Sequence, residues 1–233
     1  MTEPDASFDS RLEQAKLDAM KELAYGASHE INNPLANISA RAQTLLRDER
    51  DPERRRTLEA INQQALRAHE MISDLMLFAR PPKLERKHVS LREVIQQAAR
   101  GLAPECDRRN ITLQLHLDES LPDCSADQSQ LQVALHALLD NALNALGRDG
   151  AIDVTLRRTE AGAAQITIAD NGSGIAAEIR PHIFDPFYSG REAGRGLGFG
   201  LSKAWRIVTQ HGGTLEAESP SAGGAAFKIT LPQ

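Results

Sequence analysis

Ser28-His29-Glu30-Ile31-Asn32-Asn33-Pro34-Leu35 lies in the middle of a long helical repeat. Apolar residues recur at Leu17, Met20, Ala24, Ala27, Ile31, Leu35, Ile38, Ala42 and Leu45, in steps of three and four. That spacing predicts a helix over 8–46 with one narrow seam, irregular only beside Pro34. Asp51-Pro52 reads as an N-cap followed by a first-turn proline. A second seam follows at Leu58, Ile61, Ala65, Ala68, Ile72, Leu75 and Phe78. The two helices make an antiparallel hairpin. One narrow seam on each cannot close a core, so a homodimer through residues 8–80, forming a four-helix bundle, is expected.

Pro81-Pro82 ends the second helix and opens a linker over 81–87. From 88 to 233 the pattern changes to mixed helices and strands. Ser90 to Gly101 reads as a short helix, and Ile111–Leu117 alternates as a strand. Asp127 opens a helix with Gln130 three residues on, a capping-box spacing. Strands are expected at Ile152–Leu156, Gln165–Ala169, Thr214–Glu218 and Ala225–Leu231, with a helix through Trp205 to His211 that Gly212-Gly213 stops. Strict βαβ alternation is missing, so an α+β sandwich is expected, one sheet covered by helices.

Composition narrows the function. The 233 residues are 41% hydrophobic and 25% charged, values of a globular chain, while aromatics at 4% disfavour a stacking platform for single strands. A net charge of −5 leaves no general basic footprint, so no direct nucleic-acid contact is expected. The arginine clusters at 54–56, 108–109 and 157–158 read as solvated charge. No apolar run reaches the roughly 18 residues of a membrane helix, and the N-terminus does not read as a signal peptide. Cys106 and Cys124 form no CxxC motif, and a reducing cytoplasm is the simplest setting.

Four features carry chemistry. His29 falls off the seam, with Glu30 beside it and Asn33 one turn on along the same face. An imidazole titrating near neutrality can act as a nucleophile, and a neighbouring carboxylate can hold its other ring proton. A lone histidine with the same spacing is more often a solvated surface residue. Asp170 continues the alternation of Ile166 and Ile168, which aims a carboxylate into an apolar layer. The amine of a purine would pair with it, and Asn171-Gly172-Ser173-Gly174-Ile175 would let a ligand reach the backbone. Alone, that stretch could also be an ordinary Asp-Asn-Gly turn. Asn141 lies in or beside the apolar stripe Leu131, Ala134, Leu138, Ala145, where its amide oxygen could ligate Mg²⁺ or bond the backbone. Gly190–Gly200 precedes a helix and could cradle phosphate, or be a flexible loop. It fits neither GxGxxG nor a P-loop.

In this order the features resemble the sensor histidine kinases of two-component systems, over nearly the whole chain. Ser28–Leu35 resembles the H box in its HExxNP form, Leu138–Ala142 the N box, and Asp170–Ile175 the G1 box. Phe184–Tyr188 resembles the F box and Gly194–Gly198 the G2 box. The resemblance implies a dimerisation hairpin followed by a Bergerat-type (GHKL) ATP-binding sandwich. It makes His29 the phosphoacceptor, Glu30 its activating carboxylate, and Asn33 a group that orients water when a response regulator is dephosphorylated. Asn141 would ligate Mg²⁺, Asp170 would receive the adenine amine, and Gly172 and Gly174 would line the base pocket. Arg191 would meet phosphate, and Gly194, Gly196 and Gly198 would form the lid hinge and phosphate loop. Two departures stand out: Ala137 occupies the place of the first N-box asparagine, and Phe199-Gly200 follows Gly198 where the family usually has leucine.

The implied reaction moves the γ-phosphoryl group of ATP to His29 and then to an aspartate of a cognate response regulator, with phosphatase activity on that regulator. The chain would be the cytosolic core of a longer kinase, or a kinase that takes its input from a partner. Two rival readings are a GHKL-type ATPase that switches conformation without labelling itself, and a non-catalytic dimeric scaffold.

Overall fold

The computed structural model describes residues 6–79, 81–186, 188, 198–220 and 223–232; side chains in part of the first helix, His29 included, lie outside the described set. The chain divides into two units, one ending at Pro82 and one beginning at Lys83.

The first unit is a helical hairpin, α1 (Ala6–Asp48) and α2 (Pro52–Ala79). Helix α1 runs through Pro34. Asp51 caps α2, its Oδ1 accepting from the N–H groups of Glu53 (3.0 Å) and Arg54 (2.9 Å), with Pro52 at the first helical position. The expected single seam on α1 is split in two. Ser28, Ser39 and Ala42 are buried and Asn32, Leu35 and Leu46 half-buried, whereas Ile31, Ile38 and Leu45 are 40%, 45% and 60% exposed. Ser39 Oγ donates to Asn62 Oδ1 of α2 at 2.7 Å, so the α2-facing side is partly polar. On α2, Ala65 and Leu75 are buried while Ile61 is exposed. Helix α1 therefore keeps an apolar column, and α2 the side chain of Ile61, that the hairpin partner does not cover.

The second unit is an α+β sandwich. A five-stranded sheet has the order β2 (Ile111–Leu117), β4 (Gly150–Arg158), β5 (Ala164–Asp170), β7 (Ala225–Leu231) and β6 (Thr214–Glu218). β2 and β4 are parallel and the other neighbours antiparallel. Alternation along β4, β5 and β7 sends Ile152, Val154, Leu156, Ile166, Ile168, Phe227 and Ile229 to one buried face. Helices α3 (Leu91–Arg109), α4 (Gln128–Leu146) and α5 (Phe199–Gln210) pack on it, with α4 touching both α3 and α5. Leu131, Leu135, Leu138 and Leu139 of α4 are at most 2% exposed, so α4 is the middle of the helix layer.

Two short strands, β1 (Lys87–Val89) and β3 (Cys124–Ala126), which the sequence pattern does not predict, pair antiparallel. The expected linker 81–87 is correspondingly shorter as a free segment. Glu85 N–H donates to Asp127 Oδ2 at 2.9 Å, and Lys87 already belongs to β1. Helix α3 is longer than expected and continues through Gly101 and Pro104. A Cβ at Gly101 would come within 3.0 Å of His136 Cε1 on α4, so this glycine admits a neighbouring side chain rather than ending the helix. Only half of the expected capping box forms. Asp127 Oδ1 accepts from Gln130 N–H at 3.1 Å, but the Asp127 N–H is taken by His211 Nε2 at 3.0 Å.

Candidate functional site

Asp170 is the last residue of β5, in register with Ile152 of β4 and Ala225 of β7, on the face it shares with Ile166 and Ile168. It is 6% exposed. Its Oδ1 accepts from the N–H groups of Gly172 (2.9 Å) and Ala225 (3.3 Å), whereas its buried Oδ2 has no hydrogen-bond partner. Burial pushes this carboxyl above its ordinary value, against the two N–H donors that favour the charge. An orphaned oxygen of this kind costs roughly 1–3 kcal/mol unless a ligand donates to it.

The surrounding glycines leave no room for side chains. A Cβ at Gly172 would lie 2.9 Å from Asp170 Oδ1 and 3.1 Å from Ala145 O of α4. Gly174 has φ +75°, and a Cβ there would lie 2.8 Å from Gly224 O. Gly224, also left-handed, packs so closely on Asp170 O that any side chain would collide with it. Asn171 closes the end of β4, accepting from Ala151 N–H at 2.8 Å through Oδ1. Ser219 Oγ accepts from Ile175 N–H and donates to Ile175 O, each at 3.0 Å, tying the loop to the end of β6. Asn141 is half-buried on α4, one turn before Ala145. Among the described residues no cluster of three or more His, Cys, Asp or Glu could hold a metal ion. The amide oxygen of Asn141 is a hard donor of the type Mg²⁺ takes.

Gly198 caps α5 with φ +74°, and a side chain there would collide with Tyr188 O. The end of the Phe184–Tyr188 stretch thus abuts the start of α5. His182 Nδ1 and Asp185 Oδ2 are 2.8 Å apart, and the His182 and Tyr188 rings 5.7 Å. Arg191, Gly194 and Gly196 lie outside the described residues.

In the hairpin, the backbone of His29 is helical and its side chain lies outside the described set, while Glu30 and Asn33 are exposed. The neighbouring Asn32, which the sequence reading left unused, bonds across to α2, its Oδ1 3.0 Å from His69 Nδ1. Sequence reasoning also missed Ser219, Gly224 and His211. The doubled glycines at 223–224 and 212–213 were the available signals, but the partners of these residues are remote in sequence.

A family described as the histidine kinase-, DNA gyrase B- and HSP90-like ATPases matches residues 126–233, and the His kinase A phosphoacceptor family matches residues 19–83. Together these are the two families of a sensor histidine kinase core. The sensor histidine kinase ZraS of Klebsiella oxytoca is 36% identical over 218 residues, covering 93% of this chain and 47% of the relative. The sensory histidine kinase/phosphatase NtrB of Proteus hauseri is 34% identical over 232 residues, covering 95% of this chain and 65% of the relative. The chain spans about half the length of the ZraS relatives it matches. The crystal structure of full-length ShkA in complex with AMPPNP superposes with a TM-score of 0.80 at 24% identity, over 91% of this chain and 45% of that one, a likeness of fold. The order of a phosphoacceptor hairpin before a GHKL-type ATPase sandwich is that of the histidine kinase core. Among the described residues no helix is long and apolar enough to cross a membrane.

Proposed function

We propose that the chain is an ATP-dependent protein-histidine kinase core, with hairpin 8–80 as acceptor and 88–233 as the nucleotide-binding domain. The carrying observation is the buried, unpartnered Oδ2 of Asp170 beside glycines that admit no side chain. That oxygen suits the exocyclic amine of adenine, and Gly172 and Gly174 suit the flat base. Mg²⁺ held by Asn141 and the phosphates would neutralise charge on the transferring group. The parts expected of Arg191, Gly194 and Gly196 in holding phosphate rest on the sequence.

The chemistry then follows from the residues. The unprotonated ring nitrogen of His29 attacks the γ-phosphorus, the bond to the β,γ-bridging oxygen breaks, and ADP leaves. Glu30 holds the proton on the other ring nitrogen. Positioning and charge neutralisation carry the rate, since the phosphoryl group needs no further covalent help. The phosphoryl group then passes from nitrogen to an aspartate oxygen of a response regulator, and Asn33 orients water when the regulator is dephosphorylated. A cytoplasmic setting follows from the need for ATP. Ile31, Ile38, Leu45 and Ile61, uncovered by their own hairpin, support a homodimeric four-helix bundle.

One incubation with γ-labelled ATP and Mg²⁺ tests the reading against its rivals. Label on the protein is expected. Free phosphate alone would point to a switching ATPase, and neither product to a scaffold.

A further inference from the structure

The segment that follows the hairpin in sequence is fastened, inside the second unit, to the ends of two helices that frame the nucleotide site. Glu85 N–H donates to Asp127 Oδ2 at 2.9 Å, at the N-cap of α4. The Arg86 guanidinium forks, with Nη1 donating to Ser125 O of β3 and Nη2 to Gln210 O, the last residue of α5, each at 3.2 Å. That second bond satisfies one of the carbonyls a helix C-terminus leaves open, and it places a cation at the negative end of the helix dipole. His211, 2% exposed, joins the same two helix ends. Its Nδ1 donates to Ile207 O of α5 at 2.8 Å, which fixes the tautomer, and its Nε2 accepts from Asp127 N–H at 3.0 Å. Asp127 Oδ1 is held in turn by Ser129 Oγ at 2.6 Å.

The opposite ends of these helices carry the site. Asn141 is fourteen residues along α4 from Asp127, and Gly198 is thirteen residues before His211 along α5. At 1.5 Å per residue, each helix spans about 20 Å between the clamp and the site. An α-helix transmits axial displacement as a rod, and α4 and α5 pack against one another. A ligand that seats the N-terminal end of α5 therefore also sets the position of Gln210 O and His211. Any force on residues 83–87 is delivered to the same two helix ends.

We propose that Arg86 and His211 are positioning residues that couple the connector at 83–87 to nucleotide binding, so that each biases the other. This rests on the nucleotide site proposed above. Coupling between two sites is reciprocal, and typical values change an equilibrium by fivefold or more.

The test is hydrogen–deuterium exchange of the full chain with and without AMPPNP and Mg²⁺. In the parent, the nucleotide is expected to slow exchange at the Gly172 amide, which reports the site, and by fivefold or more at the Glu85 and Asp127 amides, which report the clamp. Arg86 is exposed, so Arg86→Ala keeps the fold. This variant is expected to retain the slowing at Gly172 and lose the slowing at Glu85. A general structural role for Arg86 would speed exchange at Glu85 equally with and without nucleotide. Slowing at Gly172 with none at Glu85 in the parent overturns the coupling and leaves the site standing. Nucleotide-dependent slowing at Glu85 that survives in Arg86→Ala overturns the role of Arg86. No slowing at Gly172 overturns the nucleotide site and the coupling with it.

Discussion

Replacing Asp170 with asparagine separates binding from stability. Oδ1 already accepts from the N–H groups of Gly172 and Ala225, so the amide oxygen of Asp170→Asn keeps those bonds and the amide nitrogen takes the place of Oδ2. A donor then faces the donating amine of adenine in a buried pocket. Losing that bond and leaving the groups mismatched costs roughly 1–3 kcal/mol, or about 5- to 150-fold in nucleotide affinity. Stability moves the other way. Burial raises the Asp170 carboxyl above its ordinary value, so the folded chain binds a proton more readily than the unfolded chain just above pH 3.8. At neutral pH the ionised group therefore works against folding, and the neutral amide removes that penalty. Titration with a fluorescent ATP analogue is expected to show the affinity loss, while thermal unfolding without nucleotide shows a midpoint equal to or above the parent's. Unchanged affinity, or a fall in midpoint that parallels the loss of binding, would show that Oδ2 does not receive the amine of the base.

Other substitutions probe other parts of the molecule. Gly224→Ala should destabilise by about 3 kcal/mol or more, because its left-handed backbone packs directly on Asp170 O. Gly162→Ala, equally left-handed but with nothing within 4 Å of the new methyl, should cost about 1 kcal/mol; denaturant midpoints compare the two. Burial lowers the His211 pKa from 6.5, so below about pH 6.5 the unfolded chain takes up a proton that the folded chain refuses. Stability should fall across that window as pH drops, and His211→Asn should flatten the slope in unfolding series from pH 7.5 to 5. Ile38→Glu puts a charge on the exposed column of α1, which a lone hairpin tolerates and a dimer interface does not. Sedimentation should find the parent dimeric and this variant monomeric at micromolar concentration; a dimeric variant would remove that column from the interface.

The sandwich was legible in sequence where alternation is long. β2, β6 and β7 lie at the expected residues, and β4 and β5 extend the expected strands by one to two residues at each end. β1 and β3 were not legible, since three residues show no period and their pairing joins positions 35 to 39 apart. Gly101 bounds the helix expected from the sequence, but α3, packed against α4, continues through it and through Pro104. The seam of α1 was read as one stripe because spacing gives the angle around a helix, not which of two neighbours covers it. Asp170 could be read from the register of Ile166 and Ile168, whereas its clasp by Ala225 and Gly224, 54–55 residues later, could not. His211 looked like one of six unremarkable histidines, because its partner Asp127 lies 84 residues upstream.

Phosphorylation of a hairpin histidine by ATP, as proposed, is tested by γ-label transfer to the parent and to His29→Gln, with nucleotide binding followed in both. His29 lies 112 residues before Asn141 in sequence, so the variant should bind ATP as the parent does. The parent should carry a label that acid removes and alkali spares, as a nitrogen–phosphorus bond dictates, and His29→Gln should carry none. An acid-stable label, or a label that survives in His29→Gln, would show that His29 is not the acceptor.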